Sequence, residues 1–543
     1  MSTSIPDRDA GATASSARWP LWVALAIVAS IFILRLPNVV QPMGPDQGVY
    51  ATIGWALQQG LDLYRDLFEQ KPPGIYLTYL SGFLVFGNKT ASIFWIDYIA
   101  GLLTAVAIFG IGRRLVSARF GALAAALVAI ATFPAARFAY GGFLERAVTE
   151  SFIIPLAAAA AWCTVTAFVR GDDRWAVAGG LLIGTAAVYK QTALIYWPAM
   201  TLWMWAVTDT RRAMRFGLLV MAGVVVAPLL TLAWLWSRGV LGEMWIAIVE
   251  FNLAYLALGD QGFGFTLNRF AHEVFRRMKG DEIWAIGTLA AAVAVWSWRW
   301  RASPPGRAAL LGVIWLGAAM IATMANGPRL FTTYFMPSLV PLGLLSAWLF
   351  HQTLGSGERR RTIAGWIVLA LAGGMLIRGG TLSRAADATM WDARHLFGHT
   401  DRQEYLGRFR SRATQAFNAA TNDRLADYVR AATEPHERVF VFGMTAGTYF
   451  SSQRLPGSRF LWAYAPVSEM IPGPDFRVET LAAELAHTAP RYIILQRSNA
   501  DSFSGWRASE AFQAAPLQAL VTSEYEEETE IGDFVLYRRK GQG

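Results

Sequence analysis

Two charged side chains follow the first apolar stretch of the chain, each in a short segment rich in glycine or proline. Asp46 lies in residues 44–48 (GPDQG), and Lys71 lies in residues 69–74 (EQKPPG). The residues around Asp46 predict a sharp turn, and the two prolines after Lys71 restrict its backbone. An acid held in place can remove a proton from a hydroxyl group, and a lysine held at headgroup depth can contact a lipid phosphate.

Both residues also have ordinary alternatives. Asp46 could be a solvated carboxylate at the end of an apolar segment. Lys71 could be a lysine whose stem stays in apolar surroundings while its ammonium group reaches the headgroups. Glu69 and Asp66 are close enough in sequence to pair with Lys71 instead. The surrounding elements must therefore decide what these side chains do.

The composition indicates a membrane protein with many spans. Of the 543 residues, 54% are hydrophobic and 16% are charged, whereas soluble domains carry about 25% charged residues. The net charge of +9 does not indicate a nucleic-acid partner, because the basic residues cluster between apolar segments, where membrane topology explains them. The single cysteine, Cys163, excludes a disulfide within the chain and a cysteine-based metal site.

We predict an α-helical membrane domain over residues 20–379 with about eleven transmembrane helices. Residues 1–19 are rich in Ser, Ala and Asp and are expected to form a disordered cytoplasmic tail. No small-residue cleavage site follows the first apolar run, so it is interpreted as a retained span. The predicted spans are residues 20–38, 90–112, 119–138, 151–169, 174–190, 192–208, 216–237, 283–299, 307–325, 332–350 and 363–379.

Arginine-rich loops set the predicted orientation. With the N-terminus inside, five such loops are cytoplasmic, as the positive-inside rule prefers, and the C-terminus lies outside. These loops hold Arg113, Arg114 and Arg119; Arg170 and Arg174; Arg211, Arg212 and Arg215; Arg299, Arg301 and Arg307; and Arg359, Arg360 and Arg361. If the apolar residues 74–87 also crossed, every later loop would invert. We therefore expect that segment to be interfacial or half-inserted.

Three outer loops are predicted, at residues 40–89, 137–150 and 238–282. In the first, apolar residues recur at helical spacing over residues 47–59, which predicts a helix lying on the membrane with one face buried. In the third, residues 244–258 are aromatic and apolar and are expected to lie on the membrane surface.

Further charged and polar side chains lie at the outer ends of spans. Glu150 begins one span, and acids in this position tend to be functional, although an acid that favours the helix dipole is the alternative. Glu145 competes with it in the same loop, and Arg137 is a further candidate there. Lys190, Arg329 and Tyr334 could contact a phosphate. The six histidines are scattered without metal-ligand spacing.

After about residue 380 charged residues become frequent and long apolar runs stop. Short β-type runs at residues 438–443, 491–495 and 534–537, with a helical pattern at residues 478–487 between them, predict a small α/β domain outside the membrane. We assign it to residues 380–543. The residues after the first strand lack a dinucleotide-binding fingerprint. This domain is expected to select an acceptor, so its deletion should change acceptor choice and leave donor binding intact.

These motifs resemble those of the GT-C superfamily of membrane glycosyltransferases, in particular the glycosyltransferase 39 type of the protein O-mannosyltransferases and aminoarabinose-transferase-like enzymes. The family pattern is an Asp-Glu-x-x-Tyr motif followed by Glu-Lys-Pro-Pro-x-x-Tyr. The resemblance covers about residues 20–350. It rests on residues 45–50 (PDQGVY), 71–76 (KPPGIY), 149–150 (TE), 189–192 (YKQT) and 334–337 (YFMP).

The resemblance implies the GT-C fold, and an enzyme that transfers a sugar from a polyprenyl-phosphate donor to a hydroxyl acceptor, usually with inversion. Asp46 would be the catalytic base, Lys71 would contact the donor phosphate, and Glu150 would be the second acid. Lys190, Arg329 and Tyr334 would be secondary donor contacts. The acceptor could be lipid A core, another envelope glycan or a protein. The site and the C-terminal domain would face the periplasm from a bacterial inner membrane.

Two departures from the family pattern bear on a metal. Gln47 stands where the family has an acid after Asp46, and Gln70 stands where it has an acid before Lys71, with Glu69 one position earlier. No cofactor is therefore assigned, and a divalent metal, which some relatives use, stays open.

Two other functions stay open. A transporter or flippase of lipid-linked sugars would carry polar residues through its span interiors, whereas here they lie at span ends. An oligosaccharide ligase of the GT-C type would share these motifs.

Overall fold

The computed structural model of the chain is mainly helical and ends in a small α/β domain. It describes residues 21–133, 142–257, 262–296, 302–355, 358–410, 417–462, 464–467, 474–498, 500–501 and 506–541. The expected tail at residues 1–19 and Arg137 lie outside the described residues.

The helical part contains seventeen α-helices among the described residues. Their bounds are α1 Leu21–Arg35, α2 Pro45–Gln58, α3 Gly74–Phe86, α4 Thr90–Leu115, α5 Ala118–Ala131, α6 Thr149–Arg170, α7 Arg174–Ala187, α8 Tyr196–Val207, α9 Thr210–Val224, α10 Val226–Ser237, α11 Leu241–Trp245, α12 Phe251–Ala257, α13 Phe263–Gly280, α14 Glu282–Trp296, α15 Pro304–Met324, α16 Leu339–Leu354 and α17 Arg359–Arg378. Short 3-10 helices cover Leu36–Val40, Gly142–Glu145, Gln191–Ile195 and Thr332–Ser338, and a π-turn covers Ile246–Glu250.

Each of the eleven predicted spans coincides with helix in the described part of the chain. Within that part, seven helical stretches are long and apolar enough to cross a membrane, and the helices that cover the other predicted spans are shorter. The seven stretches are Leu21–Val40, Thr90–Leu115, Thr149–Arg170, Thr210–Ser237, Pro304–Met324, Thr332–Leu354 and Arg359–Arg378. The architecture is that of a polytopic membrane protein, and the number of crossings stays a prediction.

Helix starts in the arginine-rich loops are encoded locally. Ser117, Asp209 and Ser303 each accept a hydrogen bond from a backbone N–H in the first turn of the helix that follows. Such side chains satisfy donors that the first turn leaves without a partner. The same loops carry the arginines that predict their cytoplasmic location.

Helix α2 differs from the expected surface helix. Its segment from Gln47 to Ala56 is almost wholly buried, except for the half-buried Val49. One side packs on α3 and the other on the C-terminal domain, where the Thr52 hydroxyl donates to the carbonyl of Ala446 at 2.8 Å. The sequence pattern predicted the helix correctly, but the C-terminal domain covers the face that was expected to be exposed. Helix α3 has 13 residues, and its interfacial placement stays a prediction.

The C-terminal part contains a four-stranded sheet in the order β1-β2-β6-β5. Strand β1 is parallel to β2, and the other two pairs are antiparallel. The strands are β1 Val439–Phe442, β2 Tyr492–Gln496, β3 Ala500–Asp501, β4 Trp506–Arg507, β5 Tyr525–Ile531 and β6 Phe534–Arg539. The helices are α18 Thr381–Leu396, α19 Arg402–Leu406, α20 Ala419–Ala432, α21 Gly447–Ser452, α22 Tyr464–Val467, α23 Val478–Thr488, α24 Ala508–Ala511 and α25 Ala515–Glu524.

The sheet contains the three strands that the sequence predicted, together with β5. Strands β1 and β2 are fully buried, which explains their continuous apolar sequences. Strand β5 has the sequence YEEETEI and only its first residue is buried, so its hydrophobic signal is weak.

One hydrophobic core runs through both parts of the molecule. Phe83 of α3 stacks on Phe450 of α21 with ring centroids 4.8 Å apart. Phe251, in the loop expected on the membrane surface, is fully buried against Phe68 and Trp462. The C-terminal domain is therefore packed onto the segments that carry Asp46 and Lys71.

Candidate active site

Helix α2 presents Asp46 in its first turn, where the side chain is exposed. Gln47 fixes this turn: its side chain accepts from the Gly44 N–H at 2.8 Å and donates to the carbonyl of Arg146 at 2.7 Å. The Tyr50 hydroxyl donates to Asp46 Oδ2 at 3.2 Å. The residue that departs from the family pattern thus ties α2 to the loop before α6.

Lys71 lies beside the same tyrosine. Its Nζ is 5.2 Å from the centroid of the Tyr50 ring and 3.7 Å from Glu69 Oε1. The Tyr64 hydroxyl donates to the backbone carbonyl of Lys71 at 3.0 Å. Two segments that the sequence suggested separately therefore meet through Tyr50, with Asp46 at its hydroxyl and Lys71 at its ring.

Burial and neighbouring charges shift the pKa values of Glu69 and Lys71. Burial raises the pKa of the Glu69 carboxyl, and Lys71 only partly offsets this. Burial lowers the pKa of Lys71, but Glu69 and Asp46 outweigh that effect and leave it above its ordinary value. Lys71 is therefore a permanent cation at neutral pH, suited to an anionic group.

Trp462 of the C-terminal domain also contacts Glu69. Its indole Nε1–H donates to Glu69 Oε2 at 3.2 Å. Next to it, the Phe68 N–H donates to the carbonyl of Arg459 at 2.8 Å. The sequence did not suggest Trp462 as a site residue, because no local pattern links it to Glu69, which lies 393 positions earlier in the chain.

Glu150, Lys190 and Tyr334 form a second group. Lys190 Nζ donates to Glu150 Oε1 at 2.7 Å and lies 3.8 Å from the centroid of the Tyr334 ring. The Thr149 hydroxyl donates to the other carboxylate oxygen of Glu150. The structure thus brings these three predicted residues together, with Glu150 as the buried counter-ion of Lys190. Tyr334 is close enough to Lys71 to raise its pKa, so the two groups adjoin.

A buried ion pair that the sequence did not reveal supports the loop before Glu150. Arg146 lies 3.2 Å from Asp97 of α4, and Asp97 also accepts from the Ala147 N–H at 3.2 Å. The Tyr79 hydroxyl donates to the Ala147 carbonyl. An acid inside a span is itself a functional signal, and it could have directed attention to Asp97.

A cavity of about 790 Å³ is lined by residues of both the helical part and the C-terminal domain. Gly44 and Pro45, just before Asp46, line it, as do Glu145 and Arg329. Arg329 lies 3.5 Å above the Tyr255 ring. The C-terminal wall includes Thr445, Thr448, Asn422, Asp423 and Trp462. A volume of this size suits a ligand site.

Glu145 lines this cavity, and Asp46 lies close enough to raise its pKa. The surrounding protein raises the pKa of Glu145, and the negative charge of Asp46 adds to the effect. Within the described ranges, no three His, Cys, Asp or Glu side chains converge as a metal site.

Solved structures with the same architecture include ArnT from Cupriavidus metallidurans with bound undecaprenyl phosphate. Its identity is 15% and its TM-score 0.53, over 96% of this chain and 98% of that one. The archaeal oligosaccharyltransferase AglB from Archaeoglobus fulgidus, in complex with an inhibitory peptide and a dolichol-phosphate, is 13% identical. Its TM-score is 0.52, over 96% of this chain and 75% of that one. No curated protein matches the chain in sequence.

The fold is that of the GT-C membrane glycosyltransferases, as the sequence motifs predicted. The family model of dolichyl-phosphate-mannose-protein mannosyltransferase matches residues 70–236, so the chain is similar to that family over this stretch. The matched stretch includes Lys71, Glu150 and Lys190, whereas Asp46 precedes it.

Proposed function

We propose that this protein transfers a sugar from a polyprenyl-phosphate-linked donor to a hydroxyl acceptor, with inversion at the anomeric carbon. The observation that carries the proposal is the meeting of an exposed carboxylate and a permanent cation at Tyr50: Asp46 at its hydroxyl and Lys71 at its ring. ArnT and AglB, which share the fold, were solved with undecaprenyl phosphate and dolichol-phosphate.

In the proposed reaction, Asp46 accepts the proton of the acceptor hydroxyl while the oxygen bonds to the anomeric carbon. The bond between that carbon and the donor phosphate oxygen breaks, and the polyprenyl phosphate leaves with the electron pair. Lys71 stabilises the negative charge that develops on this phosphate. Attack from the face opposite the leaving group inverts the configuration.

Secondary roles follow from the placement of the remaining residues. Arg329 lines the cavity and is proposed to contact the donor. Lys190 and Tyr334 adjoin Lys71 and are proposed to add positive charge and a hydroxyl donor beside the phosphate. For Glu150 we propose a supporting role through Lys190 rather than direct proton transfer, because both of its oxygens already accept hydrogen bonds.

The acceptor is proposed to enter the large cavity, whose walls combine hydroxyl, amide and charged groups with aromatic rings. A cell-envelope glycan, lipid A core or a protein hydroxyl would fit such a lining. About half of the residues that line the cavity belong to the C-terminal domain. This supports a role of that domain in acceptor selection. The site would face the periplasm from a bacterial inner membrane.

The test is a transfer assay in nanodiscs with candidate polyprenyl-phosphate sugars and membrane lipid extracts. Asp46→Asn should lower kcat about 10²–10⁴-fold, the usual contribution of a general base, with donor binding retained. Lys71→Ala should weaken donor binding. Asp66→Asn and Lys89→Ala change exposed residues of the same types and should keep wild-type activity.

Two outcomes would contradict the proposal. Full activity of Asp46→Asn would remove the catalytic role from this site. Movement of the donor across the bilayer without a glycosylated product would instead indicate a transporter of lipid-linked sugars.

A further inference from the structure

Three side chains from two parts of the molecule form a row at the proposed phosphate site. The indole N–H of Trp462 donates to one oxygen of Glu69, and the other oxygen lies 3.7 Å from Lys71 Nζ. Trp462 is 6% exposed and Glu69 is 2% exposed. The carboxylate is therefore held between an indole donor and an ammonium group, largely away from water.

The surrounding packing fixes this contact. The Trp462 ring meets Phe251 edge to face with centroids 6.1 Å apart. Phe68, which precedes Glu69, packs against both Phe460 and Phe476 of the C-terminal domain. Because the segments on both sides of the hydrogen bond are held together by aromatic contacts, the indole N–H is presented to Glu69 in one place.

The pKa of Glu69 depends on the groups around it, including the indole N–H of Trp462. Burial raises the pKa of Glu69, and the Asp46 carboxylate adds to this, whereas Lys71, the Gln70 N–H and the Trp462 N–H lower it. The buried phenols of Tyr50, Tyr64 and Tyr76 also face this carboxylate. A buried acid in this balance depends on each donor that favours its charged form.

We propose that Trp462 is a positioning residue for the phosphate site: it holds the Glu69 carboxylate, and Glu69 orients Lys71. The inference rests on the proposed role of Lys71 in binding the donor phosphate. Through Trp462, the C-terminal domain would contribute to the donor site and would also line the cavity. Trp462 does not touch the reacting atoms in this scheme.

The test measures the affinity of the full-length protein in nanodiscs for undecaprenyl phosphate over the whole pH range in which the protein stays folded. Wild type should show a step in affinity as Glu69 titrates, and Glu69→Gln should lack that step. The ligand's own titration is common to both proteins, so their difference isolates Glu69.

Two replacements then remove the indole donor. Trp462→Phe keeps an aromatic ring, and β-(3-benzothienyl)alanine at position 462 keeps the shape of tryptophan without its N–H. In both, the Glu69 step should move to higher pH by about one pH unit, since the charged carboxylate has lost one hydrogen bond. Trp391→Phe, which changes a half-buried tryptophan packed on Arg408, should leave the step in place.

The outcomes separate this inference from the proposed function. If the step stays at the wild-type pH in the benzothienyl protein, or persists in Glu69→Gln, the inference is wrong. The benzothienyl protein decides the matter if Trp462→Phe fails to fold. If wild type binds undecaprenyl phosphate with the expected pH dependence but transfers no sugar, the proposed function fails and the positioning role stands.

Discussion

At the scale of single residues, the structure separates side chains that face the cavity from side chains that support them. Asp46 is exposed directly after Gly44 and Pro45, which line the cavity, whereas Glu150 is buried and accepts hydrogen bonds from Lys190 and Thr149. The resemblance to the GT-C family implied that Asp46 and Glu150 are both catalytic acids. Their different surroundings favour different roles, since a base needs access to its substrate.

The ion pair between Glu150 and Lys190 leads to a stability prediction. Lys190→Met should destabilise the protein by about 3–5 kcal/mol, because it leaves a buried carboxylate without its partner. The double variant Glu150→Gln, Lys190→Met should recover most of this loss. Thermal unfolding in detergent, followed by intrinsic fluorescence, measures both effects.

An exposed ion pair provides the control. Arg497→Met removes one partner of the surface pair with Glu530 and should change the melting temperature little. Equal destabilisation by the single and double variants would contradict the pairing. A Glu150→Gln protein that folds and binds the donor but transfers no sugar would instead indicate a catalytic role for Glu150.

At the scale of elements, α2 is the helix that joins the two parts of the molecule. Its first turn carries Asp46, Gln47 ties it to the loop before α6, and its far side packs on α21. Gly48 lies against Gly447, where a Cβ at position 48 would be 2.8 Å from the Gly447 Cα. The two backbones approach this closely only because both residues lack a side chain.

We therefore predict that Gly48→Ala destabilises the protein by about 1–3 kcal/mol, the usual cost of overpacking, despite the better helix propensity of alanine. It should also lower transfer activity, because the Asp46 turn moves away from α21. The measurements are the melting temperature and the rate of proteolysis in the C-terminal domain. Gly264→Ala, in a helix with open space around this glycine, should be neutral or stabilising. A wild-type melting temperature for Gly48→Ala would contradict the close contact.

At the scale of the whole molecule, the C-terminal domain is continuous with the helical core. The sequence suggested a separable domain whose deletion would leave donor binding intact. The structure favours the opposite result, because the domain covers α2, stacks Phe450 on Phe83 and bonds Trp462 to Glu69. Removal of the domain would expose these aromatic surfaces and the buried Glu69 to water.

The shared core predicts that both parts unfold together. Calorimetry of the detergent-solubilised protein should show one transition, and Phe450→Ala should shift that transition as a whole, since a buried Phe→Ala change costs about 3–5 kcal/mol. Phe397→Ala removes a ring that is 72% exposed and should have little effect. Two transitions, of which Phe450→Ala moves only one, would show that the domains are independent.

The sequence alone determined the features that depend on local patterns. Long apolar runs predicted the helices of the membrane part, and continuous apolar runs predicted β1 and β2, because burial and backbone periodicity depend on neighbouring residues. The topology that the arginine loops indicate stays a prediction. The same local signals identified Asp46 and Lys71 as candidates. They also predicted α2, but not that its second face would be covered.

Only the tertiary structure decided which distant residues meet. Trp462 at Glu69, Asp97 at Arg146 and Gly447 at Gly48 are contacts between segments far apart in the chain. No local pattern encodes such contacts, since they arise from the packing of whole elements around a shared core. For the same reason the sequence could name Glu150 as an acid at the end of a span, but only the fold showed that Lys190 already neutralises it.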